Sequence, residues 1–186
     1  MGSLVVEDYI ETYTGIQFEF LDPQPKHFNI IDIAHALSMT CRYTGHCRTF
    51  YSVAEHSWHM ARMLEGCSKD IQLAALLHDG SEAYLPDVAS PIKKHLSDYN
   101  DMEDAILVAL FKKYHLEYPM HPAIKLADRA MLSIEARHLL PSQGNDWDMW
   151  KHTTRPKIDD AYKPVGMDPK QAKAVFLEKY SELTSW

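Results

Sequence analysis

Leu73-Ala74-Ala75-Leu76-Leu77-His78-Asp79-Gly80-Ser81-Glu82 is the stretch on which the reading of this chain turns. An apolar run ends in a histidine and a carboxylate side by side, and a second carboxylate follows one helical turn later. Burying such groups is costly unless something compensates, because loss of water disfavours their charged forms. A divalent cation is the simplest compensator. Adjacent residues on a helix lie about 100° apart, so His78 and Asp79 can grip one ion from two directions. Glu82 stands at i+4 from His78 and i+3 from Asp79, on the same face, within reach of a water on that ion. The pattern predicts a helix from Ile71 to about Gly80, capped by Asp70, with ligands at its end.

Working outward, Ser52-Val53-Ala54-Glu55 reads as a capping box, with Ser52 accepting from the Glu55 amide while Glu55 reaches back. The helix it starts carries His56, then Met60, Ala61, Met63 and Leu64 at core spacing, and ends near Gly66. Upstream, residues 8–21 alternate loosely around Thr14-Gly15, as a short hairpin does. Asn29 caps a helix through Ile30, Ile33, Ala34, Leu37 and Ser38. Cys41 to Tyr51 forms a second hairpin or an extended loop around Gly45.

Downstream, Asp98 or Asn100 opens a helix through Met102, Ala105, Ile106, Ala109 and Leu110. Pro122 suits the first turn of a long helix to about Leu140, with Ile124, Ala127, Met131, Leu132, Ile134 and Leu139 repeating along it. Pro141 to Met167 reads as an ordered loop, and Asp168-Pro169 starts a last helix through Ala172, Val175, Phe176, Tyr180 and Leu183. The expected fold is all-α: one domain over residues 1–186, a helical bundle with short β-hairpin decorations near the N-terminus.

Composition narrows the function classes. The 186 residues are 46% hydrophobic and 24% charged, ordinary for a globular protein. No apolar run approaches the roughly 20 residues of a membrane helix, and no basic region precedes an apolar core as in a secretory signal. A formal net charge of −7 argues against a nucleic-acid polymer as partner. Cys41, Cys47 and Cys67 lack zinc-finger spacing, and reduced thiols in the cytoplasm are expected. A Cys41–Cys47 pair facing across a hairpin is the lesser alternative.

Candidate ligands project from mostly apolar faces: His56, then His78 and Asp79, then Asp128 amid Ile124, Ala127 and Met131. A lone histidine near a helix start is more often a bonded core residue, and a lone aspartate beside Lys125 and Arg129 is more often half of an ion pair. Together, two imidazoles and two carboxylates suit one divalent ion such as Zn²⁺, Co²⁺ or Mn²⁺, with Fe²⁺ and Mg²⁺ as further options.

Ala54-Glu55-His56-Ser57, Leu76 through Asp87, and Lys125-Leu126-Ala127-Asp128-Arg129 together resemble the H…HD…D signature of HD-domain phosphohydrolases. The resemblance covers about residues 30–140. Within that superfamily the chain is similar to the bacterial 5'-deoxynucleotidases, and more so to phage-type HD dATP phosphohydrolases, through Ile33-Ala34-His35-Ala36-Leu37, Cys41-Arg42-Tyr43 and Phe50 to His56.

The resemblance implies a metal on His56, His78, Asp79 and Asp128, with Asp79 and Glu82 in the catalytic machinery and Glu82 orienting or deprotonating the attacking water. It implies substrate contacts at Arg42, Tyr43, Asp87, Lys93 and Lys125; Tyr43 stands where the deoxynucleotidases have tryptophan. Arg42, Lys93 and Lys125 would supply the positive charge that an acidic protein must gather locally for a polyphosphate. Tyr43, Phe50 and Tyr84 are candidates for base stacking, and His35, His46 and His59 are read as supporting or core groups. The expected activity is dephosphorylation of 2'-deoxynucleotides, dATP first, by a cytoplasmic homo-oligomer, a dimer or hexamer as its relatives form. The rivals are a deoxynucleotidase restricted to monophosphates and a regulatory module that only binds nucleotides.

Overall fold

The structure, a computed structural model, describes residues 9–151, 154–157 and 159–185. Asp8, the first residue of the expected hairpin segment, lies outside them. Strand β1 (Tyr9–Glu11) pairs antiparallel with β2 (Gln17–Glu19), Ile10 opposite Phe18. Gly15 turns the corner at φ +87°, a conformation that a Cβ disfavours. Phe18 is buried and stacks on Tyr84, ring centres 3.9 Å apart. Tyr84 is therefore core rather than a platform for a base. Asp32, buried on helix α1 (Ile30–Met39), accepts from Thr12 Oγ1, Thr14 N and Thr14 Oγ1 and ties the hairpin to the bundle.

Among the described residues six more helices follow: α2 (Val53–Met63), α3 (Lys69–Leu76), the single turn α4 (Ser90–Lys93), α5 (Ser97–Lys113), α6 (Pro122–Leu139) and α7 (Pro169–Thr184). The all-α expectation with a small N-terminal hairpin holds. Helix α2 is the central rod. Val53, Ala54, His56, Ser57, His59, Met60 and Ala61 are all buried, so nearly every face meets protein. It packs against α1, α3, α6 and α7, while α7 also closes over α1 and α3. Most of the buried apolar residues form one cluster running from Phe18 to Leu183. Among the described residues, no helix is long and apolar enough to cross a membrane.

Several boundaries differ from the sequence expectation, for local reasons. Helix α3 is capped by Ser68, whose side chain accepts from Ile71 N, and not by Asp70. It also stops at Leu76. Past it the chain tightens into a 3-10 turn at Gly80–Ala83, packed against α5. Gly80 permits that approach, since a Cβ there would collide with Leu110 Cδ2. His78 and Asp79 thus sit beyond the helix, and Glu82 lies on the turn instead of an α-helical face. Helix α5 begins at Ser97 with no side-chain cap, ahead of Asp98 and Asn100, and α4 was not expected at all.

The Ser52–Glu55 box is half formed. Ser52 Oγ accepts from Glu55 N at 3.1 Å, but the Glu55 carboxylate accepts from Val165 N (2.6 Å), Gly166 N (3.1 Å) and Met167 N (2.7 Å). Three converging amides outweigh the one local donor. Cys41 and Ser52 form an isolated bridge, and Arg42 N donates to Tyr51 O, so residues 41–52 make a closed loop with a 3-10 turn at Tyr43–Gly45. The three cysteines are free thiols, with Cys41 and Cys47 sulfurs 3.6 Å apart. Between Pro141 and Met167, Arg155 fastens the loop to α6 through Ser133 Oγ (2.8 Å) and Ser133 O (3.2 Å).

Candidate metal centre

His56 lies one turn into α2, the most enclosed helix, and is fully buried. His78 and Asp79 arrive from the turn after α3, and Asp128 comes from the middle of α6. The ligand atoms of His56, His78 and Asp128 all lie within 4.8 Å of one another. His56 Nε2 stands 3.3 Å from His78 Nε2 and 3.5 Å from Asp128 Oδ1. Asp79 Oδ2 borders the same point, 3.3 Å from His78 Nε2 and 3.6 Å from His56 Nε2. The side chain of Asp128 is 46% exposed, so the cluster opens to solvent on that side.

The ring hydrogens sharpen this picture. His78 Nδ1 is 2.8 Å from the Ala75 carbonyl, which can only accept, so Nδ1 carries the proton. His56 Nδ1 is 2.5 Å from Glu135 Oε1 and donates to it likewise. In the neutral rings both Nε2 atoms are then bare lone pairs, 3.3 Å apart and flanked by carboxylates. That arrangement is repulsive unless a cation or an extra proton lies between them. A donor set of two imidazoles and carboxylate oxygens fits a divalent transition ion. The asparate side also responds: burial works against Asp79, but His78, His56 and Arg42 hold it well below the usual carboxylate range. His78 is raised in turn, Asp79 outweighing the effect of burial.

Glu82 is buried beside this cluster. Its Oε2 has no hydrogen-bond partner among the described residues, and Oε1 is 3.8 Å from Lys93 Nζ. Burial, with the charges of Asp79 and Asp87 added, pushes its carboxyl well above the ordinary range. Asp87 is half-buried and also raised, mainly by loss of water. Lys93 faces the site but makes its shorter contact, 2.6 Å, with Glu103 Oε1 of α5. Lys125 is exposed on α6, one turn before Asp128.

Arg42 and Tyr43 meet protein groups. The Arg42 guanidinium lies 3.3 Å from both Asp79 Oδ2 and Glu135 Oε2, and Tyr43 Oη donates to Glu135 Oε2 at 2.7 Å. Tyr43 reaches this position with φ at 58°, followed by Thr44 at 54°. Glu135 is the residue that sequence reasoning missed. It lies seven residues after Asp128, two turns along the same face of α6, and that spacing is the signal that could have found it. Of the spare histidines, His59 is buried near Glu55, His35 stacks on Tyr13 at 3.8 Å, and His46 is exposed, so the last is neither core nor supporting. Two cavities, about 210 and 130 Å³, open elsewhere, beside Trp58 and Arg62 and between the hairpin and α1.

Fold and cluster together define an α-helical protein with a candidate site for one divalent ion, assembled by two helices and a turn. The chain is 31% identical over 176 residues to the uncharacterized protein YfdR of Escherichia coli (strain K12), covering 95% of this chain and 96% of that protein, and belongs to its family. An uncharacterized protein of Rhodobacter capsulatus is 34% identical over 137 residues, 68% of this chain and 70% of the relative. No family model matches the sequence.

Proposed function

We propose that the protein is a metal-dependent phosphohydrolase of 2'-deoxynucleotides, of the HD type, with dATP or another purine deoxynucleotide as substrate. One observation carries the reading: two imidazoles whose bare Nε2 atoms face each other between Asp79 and Asp128, beside a buried carboxylate whose free oxygen has no structural use. A purely structural cluster has no need of Glu82.

His56, His78, Asp79 and Asp128 would hold the ion. When bound, it supplies Lewis-acid charge and lowers the pKa of a coordinated water toward neutrality. The rest is the work of this chain. Glu82, with its proton affinity raised by burial and by Asp79 and Asp87, takes up the proton that an attacking water must lose. Arg42, 3.3 Å from Asp79 Oδ2, fixes the direction of that carboxylate. Lys93, at the Glu82 edge, offsets negative charge on a phosphate by exchanging its Glu103 contact for it. Lys125, exposed one turn before Asp128, would meet further phosphates at the open side.

The bond from Lys93 to Glu103 favours a second reading, a hydrolase confined to monophosphates, in which that lysine stays with its carboxylate. One assay separates them. Ribo- and deoxyribonucleoside mono-, di- and triphosphates are incubated with added Mn²⁺, Co²⁺, Zn²⁺ or Mg²⁺ and the products resolved. Dephosphorylation of purine deoxynucleotides that stops on chelation is expected. Turnover of monophosphates alone selects the second reading, and no turnover with any metal refutes both.

A further inference from the structure

The buried carboxylate of Glu135 lies outside every group assigned above to ion or substrate. Its side chain is wholly enclosed, and each oxygen is used. Oε1 takes the His56 Nδ1 hydrogen at 2.5 Å, while Oε2 accepts Tyr43 Oη at 2.7 Å and the Arg42 guanidinium at 3.3 Å. A buried glutamate could be there only to neutralise Arg42. Two facts point further. Arg42 already has Asp79 at 3.3 Å, so its charge is not left alone. And the shortest contact of Glu135 is to His56, across from α6 to α2, on the ring nitrogen opposite the one that faces the cluster.

We infer that Glu135 is a positioning residue for His56: it holds the ring with hydrogen on Nδ1 and aims the bare Nε2 at the ion site. The inference rests on the metal-centre reading of His56, His78, Asp79 and Asp128. The physical logic is that an imidazole ligates only through an unprotonated nitrogen, and a neutral ring carries one hydrogen. An acceptor on the far side fixes which nitrogen that is, restricts ring rotation and raises the basicity of the ligating atom. Tyr43 completes the device. Its left-handed backbone, unfavourable for a residue with a Cβ, is what brings its hydroxyl onto Oε2 from a loop, leaving Oε1 for His56. Loop 41–52, α2 and α6 therefore meet on one carboxylate.

The test uses the metal alone and needs no substrate. Co²⁺ titrated into the metal-free full chain should bind about ten- to a hundredfold more weakly in Glu135→Gln than in the wild type. Far-UV circular dichroism of the two proteins should be the same at the titration temperature. A Glu135→Gln protein that binds Co²⁺ as the wild type does would overturn the inference, even with a lowered melting temperature.

Where that variant does not fold, the ring tautomer decides on the unaltered protein. Long-range ¹H–¹⁵N correlation of histidine-labelled, metal-free chain should show His56 with its hydrogen on Nδ1, and the opposite tautomer sinks the proposal. Failure of the wild type to bind any divalent ion would instead remove the metal-centre reading, and the tautomer would still report on Glu135.

Discussion

Glu55→Gln is a substitution whose cost can be worked out atom by atom. The wild-type carboxylate divides three amides between its oxygens: Val165 N and Gly166 N fall on Oε1, and Met167 N on Oε2. Glutamine can keep one side only. With its carbonyl oxygen at the Oε1 position, the two amides of Val165 and Gly166 stay bonded, while the new NH₂ group confronts the buried Met167 N–H, donor against donor. Reversing the amide retains one bond and forfeits two. The cheaper arrangement loses one charge-assisted hydrogen bond and weakens two more, about 2–3 kcal/mol in all. With a urea dependence of about 2 kcal/mol per molar, the unfolding midpoint should fall by about 1 M. Equilibrium urea unfolding followed by circular dichroism measures this directly. A midpoint within about 0.2 M of wild type, at unchanged slope, would mean that the 165–167 segment is not held by this carboxylate.

Glu82→Gln should retain Co²⁺ or Mn²⁺ binding and lose roughly a hundred- to ten-thousandfold in turnover, measured as phosphate release; near-full activity would remove Glu82 from the chemistry. Lys93→Ala should impair triphosphate hydrolysis more than monophosphate hydrolysis, and equal losses in kcat/KM would point to the monophosphatase. Glu135 adds a pH signature. Burial opposes its ionisation, yet Arg42 and His56 hold it down to about 2 from an ordinary 4.5. A carboxylate so lowered contributes stability that is present above its unfolded pKa and lost as pH falls toward the folded value. The gap in melting temperature between wild type and Glu135→Gln should therefore be widest above about pH 5 and close toward pH 2. A gap independent of pH would argue against an ionised Glu135.

The candidate ligands were legible because of residue type and surroundings. A histidine-aspartate pair ending an apolar run, a histidine inside a capped helix and an aspartate amid Ile124, Ala127 and Met131 are anomalous as core. The local geometry assumed for them was not legible. Spacing alone predicts one continuous helix from Ile71 to Gly80, whereas the chain leaves the helix at Leu76 and closes a turn in which Gly80 lies against Leu110. His78 and Asp79 converge on His56 all the same, by a different route than helical spacing. Arg42 shows the opposite failure. Its charge is evident in the sequence, but the sequence does not say that Asp79 and Glu135 surround it.

Taken by itself, the order of residues settled what depends on near neighbours: the helical periodicities, Asn29 and Ser52 as caps, Asp168-Pro169 as a helix start, the glycine corner of the hairpin, and which side chains are chemically fit to hold an ion. Only the folded chain decided which of them meet. Glu55 leaves its local partner for amides 110 residues away, and Glu135 reaches back 79 residues to His56. Contacts of that span form when burial strips water from polar groups and each must find whatever partner the packing brings. Helical spacing can put Glu135 on the face of Asp128, but it does not name the distant partner that either glutamate meets.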